Sequence, residues 1–250
     1  MKQIIADTIK THPRLYDLLN SMRKSHDKLD QWLDSLSQHG TISFIQVGAS
    51  DGLRWDPLRK HVIGNRWSGV LVEPLPPVFE MLKRNYSYAS GRQNLAFVNA
   101  ALSSESGATL KLWACSQSFL KNLNIEQALY WLRKSSFSRD VIEGHLRTLG
   151  NHPAPEQAVE SVEVPIITLS DVVGQHLSGK TPDLVFIDAE GHDDAVIYGY
   201  DFEAGKPRWF VYESHGMSAE KRDALHSFLV GHGYSVQSLD GDSVATLLTA

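Results

Sequence analysis

The chain has 250 residues, 42% apolar and 21% charged, which suits a globular protein of one large domain or two small ones. With 24 Lys and Arg against 29 Asp and Glu, its formal net charge of −5 argues against a nucleic-acid partner, which requires a basic face. The only cysteine, Cys115, excludes an intrachain disulfide framework and a zinc site built on several thiolates.

No run approaches the roughly 18–20 apolar residues of a membrane span. The opening Met1-Lys2-Gln3-Ile4-Ile5-Ala6-Asp7 lacks a signal-peptide core, so a cytoplasmic chain without a transmembrane segment is expected. From Gln3 to His39 the pattern is helical: Leu15, Leu18, Leu19, Met22, Leu29, Trp32, Leu33 and Leu36 recur at three- and four-residue spacings. Pro13 suits the first turn of a second helix, and His39-Gly40 suits a stop. Residues 1–40 are therefore expected as a helical extension that packs on the main domain or forms a homodimer contact. Residues 41–250 form that domain.

After Gly40 short apolar runs alternate with helical stretches. Ile42–Val47, Gly69–Pro74, Leu95–Leu102, Leu184–Asp188 and Trp209–Glu213 read as core strands, and Val78–Tyr86 as a helix. Near-continuous apolar strands alternating with helices predict a parallel sheet covered on both faces. Tyr234–Leu239, Asp240-Gly241-Asp242 and Val244–Leu248 predict a closing antiparallel hairpin. An insertion spans about residues 103–170. It has strands at Leu110–Trp113 and Val162–Leu169, helices at Asn124–Lys134 and Ser138–Leu149, and a loop at Asn151–Pro155. The predicted fold is α/β, a Rossmann-like, mostly parallel seven-stranded sheet with the helical extension.

Ligands of open parallel sheets sit beyond the carboxyl ends of the strands, where the strand order reverses. There the first strand runs into Gly48-Ala49-Ser50-Asp51-Gly52. The second ends in Glu73-Pro74, about 20 residues on, where a carboxylate can accept from a ribose diol. Asn99, followed by Ala100, offers a donor to an adenine edge. Ser50 stands where a diphosphate-binding loop needs its middle glycine, and Asp51 adds negative charge. Both favour a cationic cofactor, S-adenosylmethionine, over NAD or FAD. Gly179-Lys180-Thr181 lacks the upstream glycine of a phosphate-binding loop.

Two further clusters end the fourth and fifth strands. Asp188-Ala189-Glu190-Gly191-His192-Asp193-Asp194 gathers carboxylates that raise one another's pKa, although Asp193 and Asp194 also suit a helix first turn. Glu213-Ser214-His215 should lie beside it. Together Asp188, Glu190, His192, Glu213 and His215 offer a base or an oxygen-rich metal site.

Residues Phe44–Leu58, Gly69–Pro74 with Val78–Tyr86, Thr168-Leu169 with Asp171, and Phe186–His192 resemble the FkbM-like family of methyltransferases. The resemblance runs from about Phe44 to His215. It implies a class I S-adenosylmethionine-dependent fold and methyl transfer to oxygen, commonly a hydroxyl of a sugar, glycan or polyketide-like product. It also implies a cofactor motif at Gly48–Gly52, a ribose acid at Glu73 and an acidic motif at Asp188–Gly191. Gln46 stands where the family often has an acid, leaving the methionine ammonium to Asp51 or Asp188. Asp193 likewise replaces the glutamate that usually continues the last motif.

On this reading His192 or His215 takes the acceptor's proton while Asp188 and Glu190 orient acceptor or cofactor. A divalent cation such as magnesium, held by Asp188 and Glu213, is a variant. Phe119, Tyr130, Trp131 and Phe137 are candidates for a lid over the acceptor. The alternatives are a non-catalytic module that binds adenosine or S-adenosylmethionine and, less favoured by the glycine pattern, an NAD-dependent oxidoreductase.

Overall fold

A computed structural model describes residues 12–20, 27–54, 56–90, 94–150 and 154–248. The opening heptapeptide, Met22, Trp55 and the predicted loop residues Asn151–Pro153 lie outside the described residues. Among the described residues two helices come first, α1 (Pro13–Asn20) and α2 (Lys28–Leu36). Asp27 caps α2 by accepting from the Asp30 amide, and a short 3-10 turn follows at Ser37–His39. Leu33 and Leu36 of α2 are buried with Phe44, Trp67 and Val211, so the apolar face of this helix is spent within the chain.

The body then runs β1 (Ser43–Val47), α3 (Arg59–Asn65), β2 (Ser68–Val72), α4 (Pro76–Ser90), β3 (Leu95–Val98) and β4 (Ala101–Leu102). Next come β5 (Thr109–Cys115), α5 (Gln117–Leu120), α6 (Ile125–Leu132), β6 (Ser135–Ser136), α7 (Arg139–Thr148) and β7 (Val159–Ile167). The chain closes with α8 (Leu169–His176), β8 (Leu184–Ile187), α9 (Asp193–Tyr198), β9 (Trp209–Glu213), α10 (Ala219–Gly231), β10 (Tyr234–Leu239) and β11 (Asp242–Leu247).

Seven strands form one sheet in the order β3-β2-β1-β8-β9-β11-β10, with only β11 antiparallel to its neighbours. This is the predicted Rossmann-like α/β sheet. Its order reverses between β1 and β8, which places the ligand crevice there. Side-chain alternation sends Ile45 and Val47 to one face with α8, α9 and α10, and Phe44 to the other with α2, α3 and α4. All of β8 and all but the first residue of β1 and β2 are buried, as a two-sided parallel sheet requires. Asp240 and Gly241 both adopt positive φ, 53° and 110°. That twist matches the flanking strands and fixes the β10–β11 register.

One predicted strand divides. Leu95–Leu102 breaks at Asn99-Ala100, because the Asn99 amide bonds the carbonyls of Glu73 and Pro74 at 2.8 and 3.0 Å and turns the chain. β4 then joins β7, β5 and β6 in a second, four-stranded sheet built by the insertion. The predicted Val162–Leu169 strand starts earlier and stops at Ile167. Thr168 and Asp171 there form a reciprocal capping box that opens α8.

A buried arginine ties α1 to the body. Arg59 is fully buried, and its guanidinium bonds both Asp17 carboxylate oxygens, at 2.6 and 3.0 Å. It also donates to the carbonyls of Gly52 and Asn85, while Tyr88 donates its hydroxyl to Asp17. Removing one partner of such a pair strands the other charge, at a cost of about 3–5 kcal/mol. Arg59→Leu should therefore lose about 3 kcal/mol or more in urea denaturation. A loss below about 1 kcal/mol would show that the pair contributes little net stability.

Candidate active site

A cavity of about 340 Å³ lies beyond the tips of β1, β2 and β8, within the usual size range of small-molecule sites. One wall is built by the sheet core, from Gln46–Ser50, Asp56, Glu73-Pro74, Ala100 and Asp188–Glu190. The other comes largely from the insertion, through Leu112, Tyr130 and Arg133–Phe137.

The core wall depends on Gly48. Its φ is +77°, and a Cβ at this position would overlap the Asp188 carbonyl oxygen, so only glycine lets the two strand ends meet. The Gly48 and Ala49 amides both donate to Val72 O, at 3.0 and 2.9 Å, and the Asp188 amide donates to Val47 O at 3.0 Å. Ser50 and Glu190 both hold left-handed backbone, φ 50° and 49°, and both line the cavity. For non-glycine residues such conformations cost of order 1–3 kcal/mol and gather at functional sites.

Glu73 is only 5% exposed. Its two carboxylate oxygens accept from the amides of Ser50 at 3.0 Å and Leu75 at 2.9 Å. Burial pushes its pKa up to about 7, against the pull of those two amides, and Asp188 and Asp51 add repulsion. Asp188 is likewise raised to about 7, first by burial and then by Glu190 and Glu213. Lys134 of the insertion reaches Glu190 at 2.9 Å and bridges the two walls.

Gln46 and Asp56 form the floor. Gln46 Nε2 donates to Asp56 Oδ1 at 3.0 Å, and Tyr86 donates its hydroxyl to Asp56 Oδ2 at 2.8 Å. Gln46 Oε1 and Ser50 Oγ are buried without a hydrogen-bond partner among the described residues. Both belong to cavity-lining residues. An unpaired acceptor in such a place marks a missing donor, because leaving it unmet costs about 1–3 kcal/mol.

Of the residues anticipated from sequence, Gly48, Ala49, Ser50, Glu73, Pro74, Ala100, Asp188 and Glu190 line this cavity. Asp51, Gly52 and Asn99 do not. Asp51 is fully buried and shapes the loop by accepting from the Leu53 and Arg54 amides, both at 3.0 Å. Its other oxygen faces Arg54 Nη1 at 3.6 Å. The Gly52 carbonyl serves Arg59, and Asn99 commits both amide hydrogens to backbone. Asn99 thus shapes the turn between β3 and β4.

Neither histidine lines the cavity. His192 bonds Ser103 Oγ through Nε2 at 3.0 Å and packs tilted against Phe137, 4.8 Å between centroids. Burial lowers its pKa. His215 is exposed on the loop after β9. Glu213 is also off the wall, and its amide donates to Asp193 Oδ1 at 3.0 Å. Asp193 is fully buried and acts as a brace between α9 and β9. Asp194 pairs with Lys221 at 2.8 Å. Of the four aromatic lid candidates, Tyr130 and Phe137 line the cavity, whereas Phe119 and Trp131 pack on each other in a separate cluster.

Sequence reasoning missed Asp56, Arg54, Arg133, Lys134, Ser135 and Ser136 on the wall. Asp56 had a local signal, since it follows the glycine loop and precedes Pro57 and α3. The insertion residues had none. Among the described residues, Asp30, Asp34 and His61 alone group three ligand atoms tightly enough for one metal ion. Lys60 already bridges those two carboxylates.

A glycine turn, an acid at the end of the second strand and a reversal of strand order beside β8 make up a Rossmann-like crevice, here with one antiparallel strand. The sequence matches the methyltransferase FkbM domain over residues 46–236, and the chain belongs to that family. It is similar in structure to methyltransferase FkbM from Methylobacillus flagellatus, at 10% identity and TM-score 0.49 over 82% of this chain and 43% of that one. It is similar also to the METTL16 methyltransferase domain, at 12% identity and TM-score 0.48 over 88% and 66%. A precorrin-6y C5,15-methyltransferase from Geobacter metallireducens is a third, at 14% identity and TM-score 0.40 over 86% and 85%. The chain thus spans less than two thirds of the first two proteins' length. No curated protein matches it. Among the described residues no helix is long and apolar enough to cross a membrane.

The buried acids make stability depend on pH. Asp193 is raised to about 8, chiefly by burial, despite the hydrogen bond from the Glu213 amide. A carboxyl raised on folding contributes stability below its unfolded pKa and loses it as pH climbs through the folded value. Asp193→Asn fixes the neutral form. It should match the wild type near pH 4 and exceed it by about 1–3 kcal/mol near pH 8.5 in thermal or urea unfolding. An equal difference at both values would refute a neutral buried Asp193.

Proposed function

We propose that the chain is an S-adenosylmethionine-dependent O-methyltransferase, acting on a hydroxyl of a sugar, glycan or polyketide-like acceptor. One observation carries the cofactor reading: Gln46 Oε1 is buried and unpaired on a wall that also holds Glu73 and Asp188. A ligand with a ribose diol and an ammonium supplies the donors that these acceptors lack. In this reading Glu73 receives the diol while its other contacts stay on the Ser50 and Leu75 amides. Gln46 receives the ammonium through its unpaired Oε1, which leaves Asp188 to the acceptor. Gly48–Ser50, Pro74 and Ala100 line the remaining path.

When bound, S-adenosylmethionine supplies a sulfonium methyl group that a hydroxyl oxygen displaces in line from sulfur. A hydroxyl is a poor nucleophile until it sheds its proton, so a proton acceptor near neutral pH must face it. Asp188 fits, with a pKa of about 7 and a position on the cavity wall. The proton passes to this carboxylate rather than to His192 or His215, which stand off the wall. Lys134 holds Glu190 and limits the negative charge beside Asp188. Tyr130 and Phe137 cover the cavity and exclude water, which strengthens every charge interaction inside. A divalent cation on Asp188 and Glu213 has less support, since Glu213 is off the wall and the Lys134 ammonium already sits beside Glu190.

Calorimetry with S-adenosylhomocysteine tests the cofactor. The wild type should bind it and Glu73→Ala should bind at least about tenfold more weakly, whereas absence of wild-type binding would overturn the reading. Transfer across a panel of hydroxylated glycosides tests the base. Asp188→Asn should cut kcat by about 10²–10⁴, with His192→Ala and His215→Ala within a few-fold of wild type. A chelator should leave turnover unchanged, and loss that magnesium restores would revive the cation. Cofactor binding with no transfer to any acceptor would favour a binding module.

A further inference from the structure

Gln46 lies one residue before the end of β1 and is only 2% exposed. A primary amide has two ends of similar size, one accepting and one donating, so what a ligand meets depends on which end faces the cavity. Asp56 decides this. Its Oδ1 accepts from Gln46 Nε2 at 3.0 Å and from the Leu58 and Arg59 amides at 2.9 and 3.1 Å. Its Oδ2 accepts from the Tyr86 hydroxyl at 2.8 Å. Each of these neighbours donates, which suits an acceptor-only carboxylate. Burial raises the Asp56 pKa, while Gln46, Tyr86, Arg59 and the Leu58 amide pull it down. With the Gln46 amide reversed, Oε1 would meet Asp56 Oδ1 lone pair to lone pair, and the amide hydrogens would point away from it. The observed setting instead leaves Oε1 as the buried acceptor that has no partner among the described residues.

The carboxylate is itself braced from below. Tyr86 is fully buried in α4, with the Arg59 guanidinium 4.6 Å over its ring. Burial and the charge of Asp56 hold its phenol well above the ordinary pKa, so it stays a donor. Gly52 makes room for it, because a Cβ there would overlap the Leu82 and Tyr86 side chains. Serving the Leu58 and Arg59 amides at the opening of α3 asks only for a short acceptor such as serine. Reaching Gln46 and Tyr86 as well takes a second oxygen on a longer side chain. We propose that Asp56 is a positioning residue for the cofactor: by holding Gln46 Nε2 it turns Oε1 toward the ammonium, so that a neutral amide backed by a buried acid selects that group. The proposal rests on the methyl-transfer reading above and names what makes its cofactor site specific for an amine. It also gives the Gly52–Tyr86 contact, which lies off the cavity wall, a task in binding.

Calorimetry on the full chain tests this with two probes, S-adenosylhomocysteine and its analogue in which hydrogen replaces the amino group. The wild type should bind S-adenosylhomocysteine about tenfold or more tightly than the analogue. Asp56→Ser keeps an acceptor for the two backbone amides but falls short of Gln46. It should bring that preference below about threefold while holding the analogue's affinity within about threefold of wild type, which also certifies the fold. Asp56→Asn retains an oxygen for Gln46 Nε2 and should keep the preference within about threefold of wild type. In a Gln46→Met background, with no amide to turn, Asp56→Ser should change the ratio of the two affinities by less than about twofold. A full preference surviving in Asp56→Ser would overturn the proposal, as would a further loss of preference in the Gln46→Met background. Equal weakening of both probes by Asp56→Ser, or failure of that variant to bind either, would make Asp56 a brace for α3 alone and overturn it too. Wild-type binding of both probes with equal affinity would sink this inference and leave the methyl-transfer reading standing, whereas no wild-type binding of S-adenosylhomocysteine would sink both.

Discussion

The cavity exists because the backbone of Gly48 and the carbonyl of Asp188 come closer than any side chain allows. That contact joins the tips of β1 and β8, the two strands between which the sheet reverses its order. It also fixes where Asp188 begins its turn, and so where its carboxyl lies relative to the glycine loop. Glu73 performs the matching task on the other side, with one oxygen on the Ser50 amide and the other on the Leu75 amide. A short side chain thus locks two loops and still lines the cavity. Burial makes the arrangement costly, as the raised pKa of Glu73 records, and a ligand that donates to the carboxylate would recover part of that cost.

The parts of this design that were legible in sequence are those governed by local rules. Near-continuous apolar runs such as Leu184–Ile187 mark strands buried on both faces. Asp240-Gly241 marks a tight hairpin, and Gly48 with Glu73 marks the cavity at the strand tips. Each depends on backbone sterics or on periodicity within a few residues. The failures share a different cause. Asn99 lies in an apolar run and reads as strand, but its amide finds two carbonyls 25 and 26 residues away and bends the chain. His192 sits inside an acidic motif, yet Ser103 and Phe137, both from outside that motif, draw its ring behind the cavity wall. Chemistry-bearing residue types in one sequence cluster need not share one surface, because a turn such as Glu190-Gly191 with two positive φ values redirects each successive side chain.

The N-terminal helices carry the same lesson at longer range. The amphipathic pattern over Leu29–Leu36 announces a helix but not what its apolar face meets. Here that face meets Phe44, Trp67 and Val211, under the same sheet whose opposite end holds the cavity. α1 is fastened by charge instead. Asp17 reaches Arg59, which holds the Gly52 carbonyl at the end of the glycine loop. Asn85 adds a bond from its amide to the Asp51 carbonyl at 2.8 Å. The extension and α4 therefore buttress the glycine loop from behind, and the loop's shape depends on Asp17, Arg59 and Asn85 as well as on its own five letters.

The insertion explains why a chain of net charge −5 can present a basic wall at its active site. Net charge sums over a surface, whereas a ligand feels the groups within roughly a Debye length, and inside a partly closed cavity screening by salt is weaker still. The acids of the wall sit at the strand tips and the glycine loop, whereas Arg133 and Lys134 sit on an inserted segment. That segment enters and leaves the core between β4 and β7 and can be altered without disturbing the Gly48–Asp188 contact. The Lys134–Glu190 bridge links the two walls directly within the cavity lining, so it helps set how far they stand apart.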